Sequence, residues 1–115
     1  MFAMLAVGCA MGASKTQQLA DSVTSGAYNN DVSAVTQNMD DALAGTVTRR
    51  EVGDLSDRMH ALGDYKGLTE VTSDDNARKY TYLARFTKGA MMVEMRLDSD
   101  GKIAAYRLVP QQLVQ

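Results

Sequence analysis

The chain holds one histidine, His60, and one cysteine, Cys9. Histidine is the side chain whose ordinary pKa lies nearest neutrality, so His60 is the first place to look for proton transfer. Asp57 lies three residues before it and Asp64 four after it. Those are helix-neighbour spacings, and they yield a His–Asp dyad only if one helix runs past Gly63. His60 follows Met59, a member of the apolar stripe described below. At about 3.6 residues per turn it falls to the side of that stripe and reads as a partly exposed helix histidine. A lone histidine leaves a zinc site short of ligands. Cys9 sits in an apolar leader far in sequence from His60, which argues against a thiolate nucleophile, and as the only cysteine it forms no internal disulfide.

The acidic clusters read in the same way. Asp98-Ser99-Asp100-Gly101 opens like a calcium loop, but the twelfth position, where such a loop needs glutamate, is Val109. The run is better read as a hairpin turn. Asp40-Asp41 and Asp74-Asp75 read as helix caps and turns. No serine, histidine and acid fall into a nucleophile–base pattern, and no glycine-rich phosphate loop follows a strand. The remaining constellation is apolar: Tyr80, Tyr82, Phe86, Val93, Met95 and Tyr106 share one face of a sheet. It is either core packing or the lining of a cavity with phenol handles, suited to a lipid, aromatic or peptide ligand.

These residues need a sheet to hold them. Along 79–88, Tyr80, Tyr82, Ala84 and Phe86 alternate with Lys79, Thr81, Leu83, Arg85 and Thr87. Along 90–98, Met91, Val93, Met95 and Leu97 alternate with Met92, Glu94, Arg96 and Asp98. A period of two marks half-buried strands. A Lys88-Gly89 loop would pair Phe86 with Met91, Ala84 with Val93, Tyr82 with Met95, Tyr80 with Leu97 and Lys79 with Asp98. Asp100-Gly101 is a strong hairpin signal; as a two-residue loop it pairs Leu97 with Ala104, Met95 with Tyr106, Val93 with Leu108 and Glu94 with Arg107. Pro110 lacks a ladder donor and ends this strand. A weaker strand over 65–72, interrupted by Gly67, precedes the polar turn Ser73-Asp74-Asp75-Asn76. The expected outer face carries Leu83, Met92, Ile103 and Val109 among Lys79, Arg85, Glu94, Arg96 and Arg107, a mixture that would suit a homodimer surface.

A bare sheet cannot stand alone, and the upstream half supplies helices to cover it. Residues 15–27 place Leu19, Val23 and Ala27 on one side. Asn30 or Asp31 can cap a second helix carrying Val32, Val35 and Met39. Thr48-Arg-Arg-Glu51 is a capping-box pattern, followed by Val52, Leu55, Met59 and Leu62, with Gly63 at C′. Three helices followed by a four-stranded antiparallel meander is an α+β order.

At 115 residues the chain is one domain, and its 45% hydrophobic content can build a core. A net charge of -2 without a basic stripe excludes nucleic acid as a partner class. No run approaches the ~18 apolar residues of a membrane-spanning helix. Residues 1–14 carry no charge and give way abruptly to Lys15, like the end of an export signal. Leu5-Ala6-Val7-Gly8-Cys9 resembles a lipobox, where a bacterial prolipoprotein is cut before a lipid-modified cysteine; Ala6 stands where a branched residue is usual. Lipidation at Cys9, cleavage near Gly12 or Ser14, and a cytosolic protein are the alternatives. Residues 1–14 thus read as a leader and 15–115 as the domain.

The segments from Ala27-Tyr28-Asn29-Asn30-Asp31, through Met39-Asp40-Asp41-Ala42-Leu43 and Leu62-Gly63-Asp64-Tyr65, to Asp100-Gly101-Lys102-Ile103 and Pro110 are similar to the bacterial domain of unknown function 3887. That family belongs to the nuclear transport factor 2-like, cystatin-like superfamily, and the resemblance covers about residues 17–110. It implies a bent sheet wrapped around helices with a conical cavity, in exported or lipid-anchored proteins. It supplies no catalytic motif and no cofactor. The functional expectation is a non-enzymatic domain of the cell envelope that binds a small apolar ligand or an envelope protein, with any membrane contact made through a lipid anchor. A cavity isomerase or dehydratase is one alternative, although the inward strand positions hold no Asp or Glu. A homodimeric interaction module is another.

Overall fold

The computed structural model describes residues 14–110. Cys9, and with it the whole question of the leader, lies outside them. The elements run α1 (Lys15–Tyr28), α2 (Val32–Thr36), α3 (Asp41–Ala44), α4 (Arg49–Ala61), β1 (Tyr65–Asp74), β2 (Lys79–Phe86), β3 (Gly89–Leu97) and β4 (Ile103–Pro110). The strands form one antiparallel sheet in the order β1-β2-β3-β4, so the protein is α+β. Among the described residues, four helical segments precede the sheet rather than three. Met39 does not belong to the second helix, which stops at Thr36; α3 follows it, started by Asp40, whose Oδ1 accepts from the Leu43 N–H at 2.8 Å.

Each longer helix starts where a side chain accepts a free N–H. Ser14 caps α1 and Thr48 caps α4, the latter in a full capping box with Glu51. α1 buries Ala20, Val23, Thr24 and Ala27, at the i, i+3, i+4, i+7 spacing of one face. Its small residues let α2 approach closely: a Cβ on Gly26 would lie 2.9 Å from the Ala34 Cβ. α1 lies against α2, α4 and β1. The α4 stripe of Val52 and Met59 joins the same core as the inward side chains of the sheet. Gly63 ends the turn after α4 at φ +99°, a conformation that glycine adopts without a Cβ penalty.

The first hairpin differs from the expected register by two residues. Phe86 pairs with Gly89, Ala84 with Met91, Tyr82 with Val93, Tyr80 with Met95 and Lys79 with Arg96. The loop is therefore Thr87-Lys88. A shift of two preserves both faces, so the inward set is unchanged. The cause is tertiary: Thr87 N donates to Asp64 O at 3.0 Å, Asp64 N to Thr87 Oγ1 at 2.8 Å, and Lys88 N to Leu62 O at 2.7 Å. These bonds hold the turn against the end of α4.

In the second hairpin Val93 pairs with Leu108, Glu94 with Arg107 and Met95 with Tyr106, as the alternation predicts. A bulge after Arg96 then pairs Leu97 with Ile103, not Ala104. Ile103, expected on the outer face, is turned inward and is fully buried. Asn38 and Asp40 fix it there, since Ile103 N donates to Asn38 O and Asp40 N to Ile103 O. The loop is longer than two residues and is organised by Asp98, whose Oδ1 accepts from the N–H groups of Asp100 and Lys102, both at 2.9 Å. β1 extends to Asp74 and carries two irregularities, one between Tyr65 and Gly67 and one between Glu70 and Thr72.

Candidate functional site

The helices do not fill the space beside β4. A cleft of about 350 Å³ opens there, bordered by α1, the α2–α3 segment, α4 and β4. Its walls are set by local chemistry. On one side, residues 38–40 are bonded to Ile103, which draws Met39 and Leu43 to the edge of the sheet. On the other side, the Thr48 capping box starts α4 and places Val52 and Leu55 on the cleft. Val47 lies between them, and Val23, Ala27 and Leu108 form the inner surface. α2 and α3 have five and four residues, too few turns to carry an apolar stripe across the whole of β4.

The polar groups of the cleft are few and mostly occupied. Tyr106 Oη lies 2.6 Å from Thr24 Oγ1, and Thr24 donates its own proton to Ala20 O at 2.8 Å. Tyr106 therefore donates to Thr24, and burial pushes its phenol pKa above the ordinary value. Glu51 Oε1 accepts from Thr48 N at 3.2 Å. Arg107 is held by Glu94, with Nη2 2.6 Å and Nε 3.0 Å from Oε1. The side chains of Asp54 and Arg58, also on the cleft, make no hydrogen bond or ion pair with other described residues. This is a surface that can hold an apolar body beside a charged rim; among the described residues that line it there is no histidine, cysteine or serine.

His60 lies elsewhere. Its ring stacks on Tyr28 with centroids 4.0 Å apart and planes at 15°, and Nδ1 is 2.8 Å from Ser56 O. Asp57 and Asp64 form no hydrogen bond with it among the described residues. The three form no metal-binding group, and none of three or more His, Cys, Asp or Glu occurs among the described residues.

Of the six aromatic and aliphatic residues singled out in the sequence, only Tyr106 borders the cleft. Tyr80, Met95 and Tyr106 border a second, shallower depression of about 400 Å³ on the sheet. Tyr82, Phe86 and Val93 border neither and sit in the core. Tyr80 Oη donates to Asp75 at 3.0 Å. Tyr82 is fully buried, and its hydroxyl is the one buried side-chain polar atom without a partner among the described residues. Burial, with Glu70 nearby, lifts its pKa to about 12. Phe86 belongs to a ring cluster with Tyr65, centroid 5.6 Å away, and Tyr28, 6.3 Å away. Sequence reading assigns Met39 to the second helix and gives Leu43 and Val47 no place in a site; it brings none of the three to a cleft. The available signal was Asp40 followed three residues later by Leu43 and then by Gly45, a capped single turn with one apolar side.

Fold and cleft together define a small α+β protein with an apolar recess on one flank of its sheet. Comparison with known proteins finds no matching family model, no matching curated protein and no matching solved structure. No helix among the described residues is long and apolar enough to cross a membrane.

Proposed function

We propose that the protein is a non-enzymatic ligand-binding module of the nuclear transport factor 2-like, cystatin-like kind, exported to the cell envelope and attached there through a lipid on Cys9. The observation that carries the binding role is the apolar cleft of about 350 Å³ between the helices and β4, a size that lies within the range of small-molecule sites. The residues around it favour binding over catalysis: Tyr106 and Glu51 are engaged in structural hydrogen bonds, and the free charges Asp54 and Arg58 stand beside aliphatic side chains. The ligand is a small, largely apolar molecule. Export and anchoring are supported by the uncharged leader and its lipobox-like run.

Native mass spectrometry of the protein taken from membrane and soluble fractions of its host tests all parts together. The expected result is an acylated Cys9 terminus in the membrane fraction and a co-purifying apolar molecule. Leu43→Trp, which fills the cleft from its α3 wall, should release that molecule and leave acylation unchanged. A bound molecule retained by the Trp variant refutes the cleft as its seat, and an unmodified Cys9 refutes the anchor.

A further inference from the structure

The outer face of the sheet carries a charge arrangement that the fold does not need. The two-residue shift of the first hairpin brings Lys79 and Arg96 directly opposite each other on neighbouring strands. Like charges in register repel, and a sheet normally avoids them. They occur here in a chain of net charge -2, whose helical half, residues 14–64, holds eight acidic and four basic residues against six and eight in residues 65–110.

The acids that would be expected to neutralise the pair are engaged elsewhere. Asp74 is the cross-strand neighbour of Lys79 on β1, but its Oδ1 accepts from Ala77 N at 3.1 Å within its own turn. Glu94, two residues before Arg96, takes both Nε and Nη2 of Arg107 on one oxygen. Asp98 holds the β3–β4 loop through Asp100 and Lys102. Neither the Lys79 nor the Arg96 side chain forms an ion pair or hydrogen bond with another described residue. Both border the depression of about 400 Å³, together with Thr81, Glu94, Ala105 and Arg107. Ala105 lies opposite Arg96 on β4, so one wall of the depression is a methyl group that leaves space beside the guanidinium.

We propose that Lys79 and Arg96, with the Thr81 hydroxyl beside them, form a binding site for a phosphate-type dianion on the outer face of the sheet. A guanidinium presents a planar fork to phosphate oxygens and an ammonium adds a compact point charge. A dianion between them relieves the repulsion that the register creates. Lys79, Thr81 and Arg96 do not border the cleft, although Arg107 borders both hollows, and the site does not depend on what the cleft binds.

The pair's opposing effects on stability and binding supply the test. Inorganic phosphate is titrated into the protein against chloride at equal ionic strength, with backbone amide shifts and thermal midpoints as readouts. The amides of Lys79, Thr81 and Arg96 should shift, and phosphate should raise the midpoint. Arg96→Gln and Lys79→Thr should each weaken phosphate binding by about tenfold or more, while raising the midpoint in chloride because the repulsion is gone. Sedimentation with phosphatidic acid vesicles, whose headgroup is a phosphomonoester, against phosphatidylcholine vesicles, separates the sources. Binding that free phosphate displaces assigns the site to soluble phosphates, and vesicle binding that resists phosphate but is lost in Arg96→Gln assigns it to a lipid headgroup. Unshifted amides together with equal behaviour on both vesicles, or variants that bind as the parent does, overturn the proposal.

Discussion

On the β1 flank, helices and sheet are tied by several side-chain polar bonds; on the β4 flank, among the described residues, they are tied by the backbone of residues 38–40 and by the single side-chain bond from Tyr106 to Thr24. Gln17 Nε2 donates to Leu68 O at 3.1 Å, Tyr65 Oη to Asp21 at 2.5 Å, Tyr28 Oη to Gly63 O at 3.1 Å and Ser56 Oγ to Tyr28 O at 2.9 Å. These bonds fix the distance between α1, α4 and β1, and the rings of Tyr28, Tyr65 and Phe86 fill the space they define. Beside β4, Tyr106 to Thr24 is the one such side-chain tie among the described residues, and two short helices leave a recess. The difference teaches that the closed flank specifies the fold, whereas the open flank is free to hold a ligand.

Truncations to alanine on the two flanks should differ in cost by more than the size of the group removed. Phe86→Ala removes a ring that is 6% exposed and leaves a cavity among Tyr28 and Tyr65. The expected loss is about 3–5 kcal/mol in urea unfolding. Leu43→Ala, on the half-buried cleft wall, should cost under about 1 kcal/mol. Similar losses from both would erase the distinction between the flanks.

Tyr65→Phe deletes one polar tie and should cost about 1–2 kcal/mol. It should also change the alkaline limb of stability. Burial, and then the hydrogen bond to Asp21, hold the Tyr65 phenol protonated well above its ordinary value of 10.0. Burial raises Tyr80, Tyr82 and Tyr106 as well. With folded pKa values above unfolded ones, the unfolded chain releases protons first as pH rises. The phenols' stabilising effect is thus complete below pH 10 and declines above it. Urea midpoints measured from pH 9 to 12 should fall, and less steeply in Tyr65→Phe than in the parent. A parallel decline would show that the Asp21 tie contributes nothing.

The smallest effect should have the opposite sign. Tyr82→Phe removes a buried hydroxyl that has no partner, so stability should stay level or rise by up to about 1 kcal/mol. A clear loss would mean that the hydroxyl is bonded in solution, and the core beneath α1 would then resemble the tied flank more than its contacts indicate.

The division between legible and hidden features follows range. Alternation is local, so Tyr80, Tyr82, Ala84 and Phe86 could be assigned to the buried face from the sequence, and the capping box at Thr48 and the C′ glycine at Gly63 were visible for the same reason. The first register was off by two because Thr87 and Lys88 leave the ladder for Asp64 and Leu62, bonds between distant residues that alternation cannot report. Ile103 was placed on the wrong face because a bulge breaks the period of two. The cleft was missed because it is a space that short helices fail to fill, and no residue type announces an unfilled space. Tyr82, Phe86 and Val93 were grouped correctly on one face; whether that face lines a hollow depended on where α1 lies.

The irregular course of β1 also bears on how the protein behaves when concentrated. Among the described residues β1 is an edge strand of the sheet, the kind of position at which a strand from a neighbouring molecule can be added. The offsets after Tyr65 and after Glu70 leave only Gly67 to Glu70 and Thr72 to Asp74 in unbroken alignment. Each stretch is shorter than the roughly six residues from which stacked fibrils are built. The same kinks that spoil the regularity of the strand therefore shorten the straight run that a second molecule would need in order to stitch itself along it.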